Sequence, residues 1–409
     1  MNPLFHFEPY SGEFARDPYP VYARLRRECP VYYHENWDAW LFSRYEDIKM
    51  LVMDERLGRT MNHVMSGDEI AADRERRDWD AAPNHSRYVK VSILESEGEL
   101  HDRLRKAVFR MFTPARVNQL RGFIQGLVDR QIDALGPVTE FDFIEDLVAP
   151  APGFVIGEML GVPEPDRPRL RTWSEDIVQF FEPERTGAHR DLAERATTEF
   201  AVYLADLAAM RREQPGDDLI SEMIAWRDGA ERLNQDELIS NAMMVLMAGH
   251  GSTIDALGNG MLALLRHPEQ MAALKADAGL IHTAVQEMFR YDAPLPYFHR
   301  YALEDMEYRG YSFKTGAKLG FLYASANRDE ACFDNPDRFD IRRDPNRHLA
   351  FGGGVHHCLG SHLARLNMEI IFKTVLRRLP GLSLDVAEDD LEWKPGILTR
   401  SLVRLPVRV

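Results

Sequence analysis

The segment from Asn234 to His267 contains no proline and constrains the fold of this chain more than any other stretch. Asn234 followed by Glu237 is typical of a capping pair at a helix N-terminus. The apolar residues of ELISNAMMVLMAGHGSTIDALGNGMLALLRHP then continue until Pro268. A continuous helix of this length would be roughly 50 Å long, which is enough to cross a whole domain. The sequence therefore predicts one long central helix.

Four glycines interrupt this predicted helix, namely Gly249, Gly251, Gly258 and Gly260. Each glycine inside a helix costs about 1 kcal/mol relative to alanine. Two explanations are open at this point. A flat ligand could lie against a bare helix surface, or a neighbouring helix could pack unusually close to it.

A second glycine-rich stretch, FGGGVHHCLG, runs from Phe351 to Gly360. Its glycines would let the backbone approach a planar ligand. Cys358 precedes a predicted helix whose apolar stripe contains Leu363, Leu366 and Ile370. A helix N-terminus favours a thiolate, and a thiolate is a good axial ligand for heme iron.

Two other sites could use the same stretch. Zinc could bind His356, His357 and Cys358, but no CxxC or HxxxH partner cluster accompanies them. Phosphate could bind the three glycines, but the dinucleotide fingerprint and its preceding strand are missing.

Glu287 and Arg290 form an E-x-x-R pair on one face of a predicted helix. The pair lies among apolar residues, so we expect it to be buried. A buried pair needs further hydrogen bonds. Arg338, in the NPDRF segment, is predicted to complete the network.

The composition excludes several classes of protein. The net charge is -15, which disfavours a non-specific nucleic-acid binder. The chain has 3 cysteines, too few and too widely spaced for a disulfide scaffold, so a cytoplasmic location is predicted. The N-terminal residues contain neither a signal sequence nor a membrane anchor. No linker divides residues 1–409, so we predict a single domain, two fused lobes being the alternative.

Local patterns predict a mainly α fold with small β-sheets. VYYH and AWLFS flank the polar ENWD and predict a β-hairpin. The charged run from Asp68 to Asp80 predicts a solvated helix or loop. Helix breaks are expected at Gly136-Pro137, Pro152-Gly153 and Pro215-Gly216. Short strands are expected near the C-terminus.

FGGGVHHCLG resembles the cysteine-loop signature of the cytochrome P-450 family, F-G-x-G-x-H-x-C-x-G, at every fixed position. AGHGST is similar to the family's oxygen-binding segment, and Glu287 to Arg290 is similar to its E-x-x-R. HDRLR is similar to its H-x-x-x-R. The resemblance spans nearly the whole chain and implies the cytochrome P-450 fold, with a long central helix.

The resemblance implies heme b (iron protoporphyrin IX) with Cys358 as the iron ligand. The implied heme-binding residues are His101, Arg105, Ala248, Gly249, Arg300, His348, Phe351, Gly352, His356, Cys358 and Gly360. The implied catalytic residues are Gly251, Ser252 and Thr253. By analogy, the residues expected to contact substrate are Met244, Met247, Ala248, Leu295, Phe298 and Phe180.

The implied function is a heme-thiolate monooxygenase, similar to the soluble bacterial members. It would insert one atom of O2 into a small to medium apolar substrate, with electrons from a ferredoxin and its reductase. Two basic helices are expected to bind the ferredoxin. They carry Arg103, Arg105, Lys106, Arg110, Arg365, Lys373, Arg377 and Arg378. A variant member performing coupling or desaturation and a non-catalytic heme sensor are the alternatives.

The sequence departs from the family at one point. Gly251 and Ser252 stand where the family usually has an acid followed by threonine. The serine keeps a hydroxyl, but the glycine removes the carboxylate that would relay protons. Ordered water, Asp255, His250 or a polar group of the substrate could replace it, and the alternatives stay open here.

Overall fold

The computed structural model describes residues 7–76, 79–89, 91–182 and 186–409. The predicted absence of a signal sequence and anchor rests partly on residues 1–6, which lie outside this range. The charged run is helical from residue 67 to residue 76, as predicted for its first part, and residues 77–78 lie outside the described range. Within the described residues, no helix has the length and apolarity that crossing a bilayer requires.

Helices form most of the secondary structure, which confirms the predicted mainly α class. The α-helices are α1 (Gly12–Arg16), α2 (Tyr19–Glu28), α3 (Tyr45–Leu51), α4 (Gly67–Arg76), α5 (Pro83–Val89), α6 (Gly98–Phe109), α7 (Pro114–Gln119), α8 (Arg121–Leu135), α9 (Pro150–Leu160), α10 (Pro168–Val178), α11 (Gly187–Glu213), α12 (Leu219–Ala225), α13 (Gln235–Gly249), α14 (Gly251–Arg266), α15 (Pro268–Ala276), α16 (Ile281–Tyr291), α17 (Tyr323–Ala326) and α18 (Ser361–Arg378).

The strands are short. They are β1 (Val31–His34), β2 (Ala39–Phe42), β3 (Leu57–Gly58), β4 (Glu140–Asp142), β5 (Tyr297–Ala302), β6 (Met306–Tyr308), β7 (Tyr311–Phe313), β8 (Lys318–Leu322), β9 (Ser383–Leu384) and β10 (Pro406–Arg408). They form a five-stranded sheet in the order β1-β2-β8-β5-β3, a three-stranded sheet in the order β4-β10-β9, and the pair β6-β7.

The chain folds into two compact units, each assembled from separate segments. The first unit contains residues 1–57, 120–151 and 252–409, and the second contains residues 58–119 and 152–251. The chain therefore passes between the units four times. The predicted single domain spanning residues 1–409 stays a prediction.

The first unit contains strands β1, β2, β5 and β8 of the five-stranded sheet and the loop that carries the candidate thiol. The predicted hairpin is confirmed, because β1 pairs antiparallel with β2 and Val31 lies opposite Phe42. Strand β2 continues the sheet by pairing parallel with β8, which pairs antiparallel with β5. Buried aromatic and aliphatic side chains, including Phe42, Ile48 and Phe321, pack beneath this sheet.

The second unit is helical. Helix α11 packs against α5, α10, α12 and α13, and α13 also packs against α5 and α6. A small aromatic cluster joins the end of α10 to α5. The Phe180 ring lies 4.5 Å from the Trp79 ring and 4.3 Å from the His85 ring.

The prediction of one long helix is wrong in one respect, because the segment forms two helices. Helix α13 ends at Gly249 and α14 begins at Gly251. His250 between them has a ψ of -75°, which lies well away from the helical value. Glycine on both sides lowers the cost of leaving the helical conformation.

Close packing explains three of the four glycines in this region. A Cβ atom on Gly249 would lie 2.9 Å from Ile156, one on Gly258 would lie 3.0 Å from Ile144, and one on Gly260 would lie 3.0 Å from Met288. A neighbouring side chain therefore crowds each of these three positions, which supports the close-packing explanation for them, and the flat-ligand explanation stays a hypothesis. Gly251 differs, since a Cβ atom there would meet no heavy atom within 4 Å.

The break predicted at Pro152-Gly153 is also wrong, because both residues lie in the first turns of α9. Proline is tolerated there, since the first N–H groups of a helix have no partner within the helix. The other two predicted breaks are confirmed. Helix α8 ends at Leu135, and Gly136 caps it with a φ of 63°. Helix α11 ends at Glu213, just before Pro215-Gly216.

The predicted Glu287–Arg290 pair is present and fully buried. Both side chains are 0% exposed, and Arg290 Nε and Nη2 donate to the Glu287 carboxylate at 2.7 and 2.8 Å. Arg290 also donates to the carbonyl oxygens of Asn327, Pro336 and Arg338. Each charged group therefore has the additional hydrogen bonds that a buried pair needs.

Arg338 is not the third charged member of this network, contrary to the prediction. Its side chain is exposed, and only its backbone oxygen accepts from Arg290. Arg343 takes that position, because its Nε donates to Glu287 Oε2 at 3.2 Å. Asn346 Nδ2 donates to the same oxygen at 3.0 Å.

These contacts separate the roles of two arginines five residues apart. We expect Arg343→Ala to lower the free energy of unfolding by about 3 kcal/mol, because Glu287 loses a buried cationic partner. Arg338→Ala should change the free energy of unfolding by less than about 0.5 kcal/mol, because the guanidinium that it removes is exposed to solvent. Urea unfolding of both variants measures the difference. Equal losses in the two variants would contradict this assignment.

Candidate functional site

A hydrogen-bonded loop presents Cys358 in the first unit. The backbone N–H of Cys358 donates to the Phe351 carbonyl oxygen at 2.9 Å and closes the loop. Helix α18 begins only at Ser361, with Gly360 as its N-cap. Cys358 therefore lies before the helix, as predicted.

The glycines of this loop are fixed by backbone conformation and by a neighbouring helix. Gly352 and Gly354 have φ values of 66° and 68°, in the left-handed region that favours glycine. A Cβ atom on Gly353 would lie 2.7 Å from Val52 Cγ2, and one on Gly354 would collide with the Val52 carbonyl oxygen. The end of α3 thus accounts for Gly353 and Gly354 without any planar ligand.

A guanidinium group lies close to the thiol. Arg365, in α18, places its Cζ 4.4 Å from the centre of the Phe351 ring and donates from Nε to Gln286 at 3.3 Å. Burial lowers the pKa of Arg365 below its usual range, and the Cys358 thiol acts in the opposite direction. A neighbouring cation favours the thiolate form of cysteine. Neither Gln286 nor Arg365 was predicted for the site, because no motif marks them.

The donor set fits heme and does not fit zinc. The Cys358 side chain is partly exposed, so its sulfur can reach a ligand. No group of three His, Cys, Asp or Glu side chains that could hold a metal ion occurs within the described residues. The zinc alternative therefore has no support in the described part of the chain. A lone thiol on a tightly held loop matches the single protein ligand that heme iron takes in heme-thiolate proteins.

Small and partly exposed residues lie on each side of the junction of α13 and α14. Ala248, near the end of α13, is exposed, although residues 237–247 of the same helix are all buried. Gly251, Ser252 and Asp255 of α14 are half-buried, and the spacing of four residues places Gly251 and Asp255 near one face of that helix. Thr253 is 6% exposed and belongs to the buried side.

His250 points away from that face. Its ring is 0% exposed and packs against Gly153 of α9, where a Cβ atom would lie 3.3 Å from the ring. Among the described residues, neither ring nitrogen has a hydrogen-bond partner. Asp255 therefore shares a face with Gly251 and His250 does not. Of these two side chains, only Asp255 is placed to replace the missing acid.

The predicted propionate contacts are divided between the units. His101 in the second unit is 2% exposed, and burial lowers the pKa of its ring although Asp102 lies 3.3 Å away. Arg105, one turn later, is half-buried. In the first unit, Arg300 is 4% exposed and donates to the His299 carbonyl oxygen, and His356 is half-buried.

His348 is buried and hydrogen-bonded on both ring nitrogens. Its Nε2 lies 3.0 Å from Gln286 Oε1, and its Nδ1 accepts from the Ala350 N–H at 3.3 Å. Burial lowers the pKa of the ring to about 3, which keeps it neutral. The contact fixes the ring against Gln286, and the propionate role that the resemblance implies for His348 stays a prediction.

The residues predicted to contact substrate have different surroundings. Met244 and Met247 are both 6% exposed, but only Met244 shares the face of Ala248. Phe180 is packed in the aromatic cluster with Trp79 and His85. Leu295 and Phe298 in the first unit are half-buried.

Several predicted ferredoxin-binding cations already have partners. Arg103 pairs with Glu237, and Lys106 lies 3.5 Å from Asp228. Asp129 lies 4.0 Å from Arg377 and 3.1 Å from Arg378. These pairs reduce the positive charge that the two helices were expected to offer.

Comparison with known proteins identifies the family. The family model for cytochrome P-450 matches residues 276–402. The polyketide biosynthesis cytochrome P-450 PksS of Bacillus subtilis (strain 168) is 36% identical over 408 residues, which cover 98% of each chain. The cytochrome P-450 monooxygenase PikC of Streptomyces venezuelae is 38% identical over 413 residues, covering 99% of this chain and 94% of that one.

A solved structure agrees with these relatives. P-450BioI in complex with hexadec-9Z-enoic acid ligated acyl carrier protein superposes with a TM-score of 0.89 and 31% sequence identity. The match covers 98% of this chain and 100% of that one.

The buried ring of His250 predicts a loss of stability in acid. Burial lowers its pKa from the usual 6.5 to about 4, with a smaller contribution from Arg171. The unfolded chain therefore binds a proton between these values while the folded chain does not, so stability falls as the pH falls through this window. We expect this group to cost about 2 kcal/mol between pH 7 and pH 5.

Urea unfolding of the His250→Phe variant at pH 7 and pH 5 measures this contribution. The variant should lose less stability in acid than the native protein, whereas His63→Phe, which replaces an exposed histidine, should not differ from it. An unchanged pH dependence in His250→Phe would show that the ring is not held neutral.

Proposed function

The chain belongs to the cytochrome P-450 family, whose members are heme oxygenases, and from that premise we propose a heme-thiolate monooxygenase acting on polyketide or fatty-acyl chains. The observation that carries the proposal is the Cys358 thiol, presented by a closed glycine loop that also places Phe351 against Arg365. Electrons would come from a ferredoxin and its reductase. The site of action would be the cytoplasm.

Named residues would hold the heme. Cys358 would bind the iron as a thiolate, and Arg300 and His356 of the first unit would contact the propionates. The propionate roles that the resemblance implies for His101 and Arg105 are part of the proposal. Bound heme supplies the electron transfer and O2 activation that protein side chains cannot. The protein's part is to fix the thiolate, exclude water and deliver protons.

Proton delivery would depend on Gly251, Ser252 and Asp255, the half-buried residues at the start of α14. Ser252 Oγ would hold a proton close to the reacting oxygen, and Asp255, one turn later, would resupply it. The bare Gly251 leaves room for water between them, since a Cβ atom there would meet nothing within 4 Å. A proton path through Asp255 and water would take the place of the usual acid.

The relatives indicate the class of substrate. PksS and PikC are named for polyketide biosynthesis and monooxygenation, and P-450BioI was solved with an acyl carrier protein. We therefore propose an extended or macrocyclic substrate of polyketide or fatty-acyl origin, free or carried by an acyl carrier protein. Oxidative coupling or desaturation is the second candidate, because Gly251 stands where the family usually has an acid. No observation favours a non-catalytic sensor.

Turnover with labelled oxygen tests the proposed function. The protein is supplied with a surrogate ferredoxin, its reductase and NADPH, together with free fatty acids, carrier-bound acids and macrolactones. We expect a product containing one atom from isotopically labelled O2. Products formed without labelled oxygen would favour coupling or desaturation, and consumption of NADPH without any product across the panel would contradict the proposal.

Gly251→Asp tests the proton path. If Asp255 and water already deliver protons, Gly251→Asp should leave the product formed per NADPH within about twofold of the native value, whereas Asp255→Asn should lower it about tenfold. Gly251→Asn is the matched control, because it has the same size without the acid. A large gain for Gly251→Asp over Gly251→Asn would show that a relay is missing and would contradict the role of Asp255.

A further inference from the structure

Asn241 in α13 is a buried amide that the proposed mechanism does not use. It is 0% exposed, and neither its Nδ2 nor its Oδ1 has a hydrogen-bond partner among the described residues. An unsatisfied amide in a protein interior is costly, because it loses its hydrogen bonds to water and gains none in return. The position therefore calls for a partner that the described residues do not supply.

The polar neighbours of Asn241 in α13 are satisfied. Glu237, one turn earlier, accepts from Arg103 and from the Asn234 backbone N–H. Ser240 donates to the Tyr88 carbonyl oxygen. The missing partner is thus specific to Asn241 and is not a general feature of this part of the helix.

Asn241 lies on the helix face that leads to the exposed Ala248. Asn241, Met244 and Ala248 are spaced by three and four residues, so they form one stripe. Ala248 is seven residues from Asn241, which corresponds to roughly 10 Å along the helix. A molecule that covers Ala248 and extends along this stripe would pass Met244 and reach the amide.

A second unsatisfied group lies on the adjoining helix α5. Ser86 is 5% exposed, and its hydroxyl also has no hydrogen-bond partner within the described residues. Helices α5 and α13 contact each other at Tyr88 and Ser240, which are two residues from Ser86 and one residue from Asn241. Helices α5 and α13, which contact each other, therefore each carry one buried and unsatisfied polar side chain.

We propose that Asn241, assisted by Ser86, is a specificity-determining residue that binds an oxygen-bearing group of the substrate. The substrate would be an oxygenated chain or ring, with a carbonyl or hydroxyl about 10 Å from the carbon that is oxidised. The amide can donate to a carbonyl and accept from a hydroxyl, so it suits both. The inference rests on the proposed monooxygenase function for the identity of the ligand as substrate.

Two probes of equal ring size test the proposal by binding alone. Pentadecanolide carries an ester group, and cyclopentadecane lacks any oxygen. Calorimetry on the heme-loaded protein measures both affinities. We expect the native protein to bind the lactone more tightly. Asn241→Leu should weaken lactone binding by about tenfold and leave cyclopentadecane binding unchanged. Ser86→Ala should act in the same direction with a smaller factor.

Ser240→Ala is the matched control, because it removes a satisfied hydroxyl from the neighbouring position. It should leave the preference for the lactone intact. Asn241→Leu should unfold at an equal or higher urea concentration than the native protein, since it replaces an unsatisfied amide with an apolar side chain. A native protein without preference for the lactone, or a variant that weakens both probes equally, would overturn the proposal.

Turnover separates this inference from the proposed function. If labelled oxygen enters a product but Asn241→Leu does not change the preference between probes, the subsite is wrong and the monooxygenase assignment stands. If the preference depends on Asn241 but no oxygen is transferred, the subsite stands and the monooxygenase assignment is wrong.

Discussion

The buried pair of Glu287 and Arg290 is the interaction on which the thiol loop depends. Arg290 binds the Asn327 carbonyl oxygen, and the Asn327 side chain accepts from the Leu349 N–H at 2.7 Å. Glu287 accepts from Asp340, Arg343 and Asn346, so the same carboxylate fixes the segment that leads into Phe351. Because every charged atom is bonded, the network can be both buried and rigid. It sets where the loop begins, and the Cys358 N–H bond to Phe351 sets where the loop closes.

Packing by neighbouring residues decides the rest of the site. Val52 leaves no room for side chains at Gly353 and Gly354, and Ile156 leaves none at Gly249. His250 fills the space above Gly153 and coincides with the break between α13 and α14. The consequence is that small and partly exposed residues lie on each side of this break, with bulky side chains behind them. Gly251 is the exception, because open space surrounds it.

Local patterns predicted the features that depend on neighbouring residues in the sequence. The hairpin of β1 and β2, the capping pair at Asn234 and Glu237, and the burial of Glu287 and Arg290 all follow from short-range spacing. The cysteine loop was recognised for the same reason, since its residues are contiguous. Features that depend on distant segments were not predictable. Arg343 and Arg338 look alike in sequence, and only the folded chain shows which one reaches Glu287.

The same distinction explains the incorrect predictions. The helix break at His250 coincides with the packing of its ring against α9, and the proline at position 152 is tolerated because of where α9 begins. The hydrogen bond between His348 and Gln286 also joins distant segments, and no local pattern marks it.

The absorbance of the reduced, CO-bound protein tests the central claim most directly. If Cys358 is the thiolate ligand, the native protein should show an absorbance band at about 450 nm, and the Cys358→Ala variant should lack this band. A Cys358→Ala variant that retains full heme content and the same band would contradict the account, because another group would then be the iron ligand.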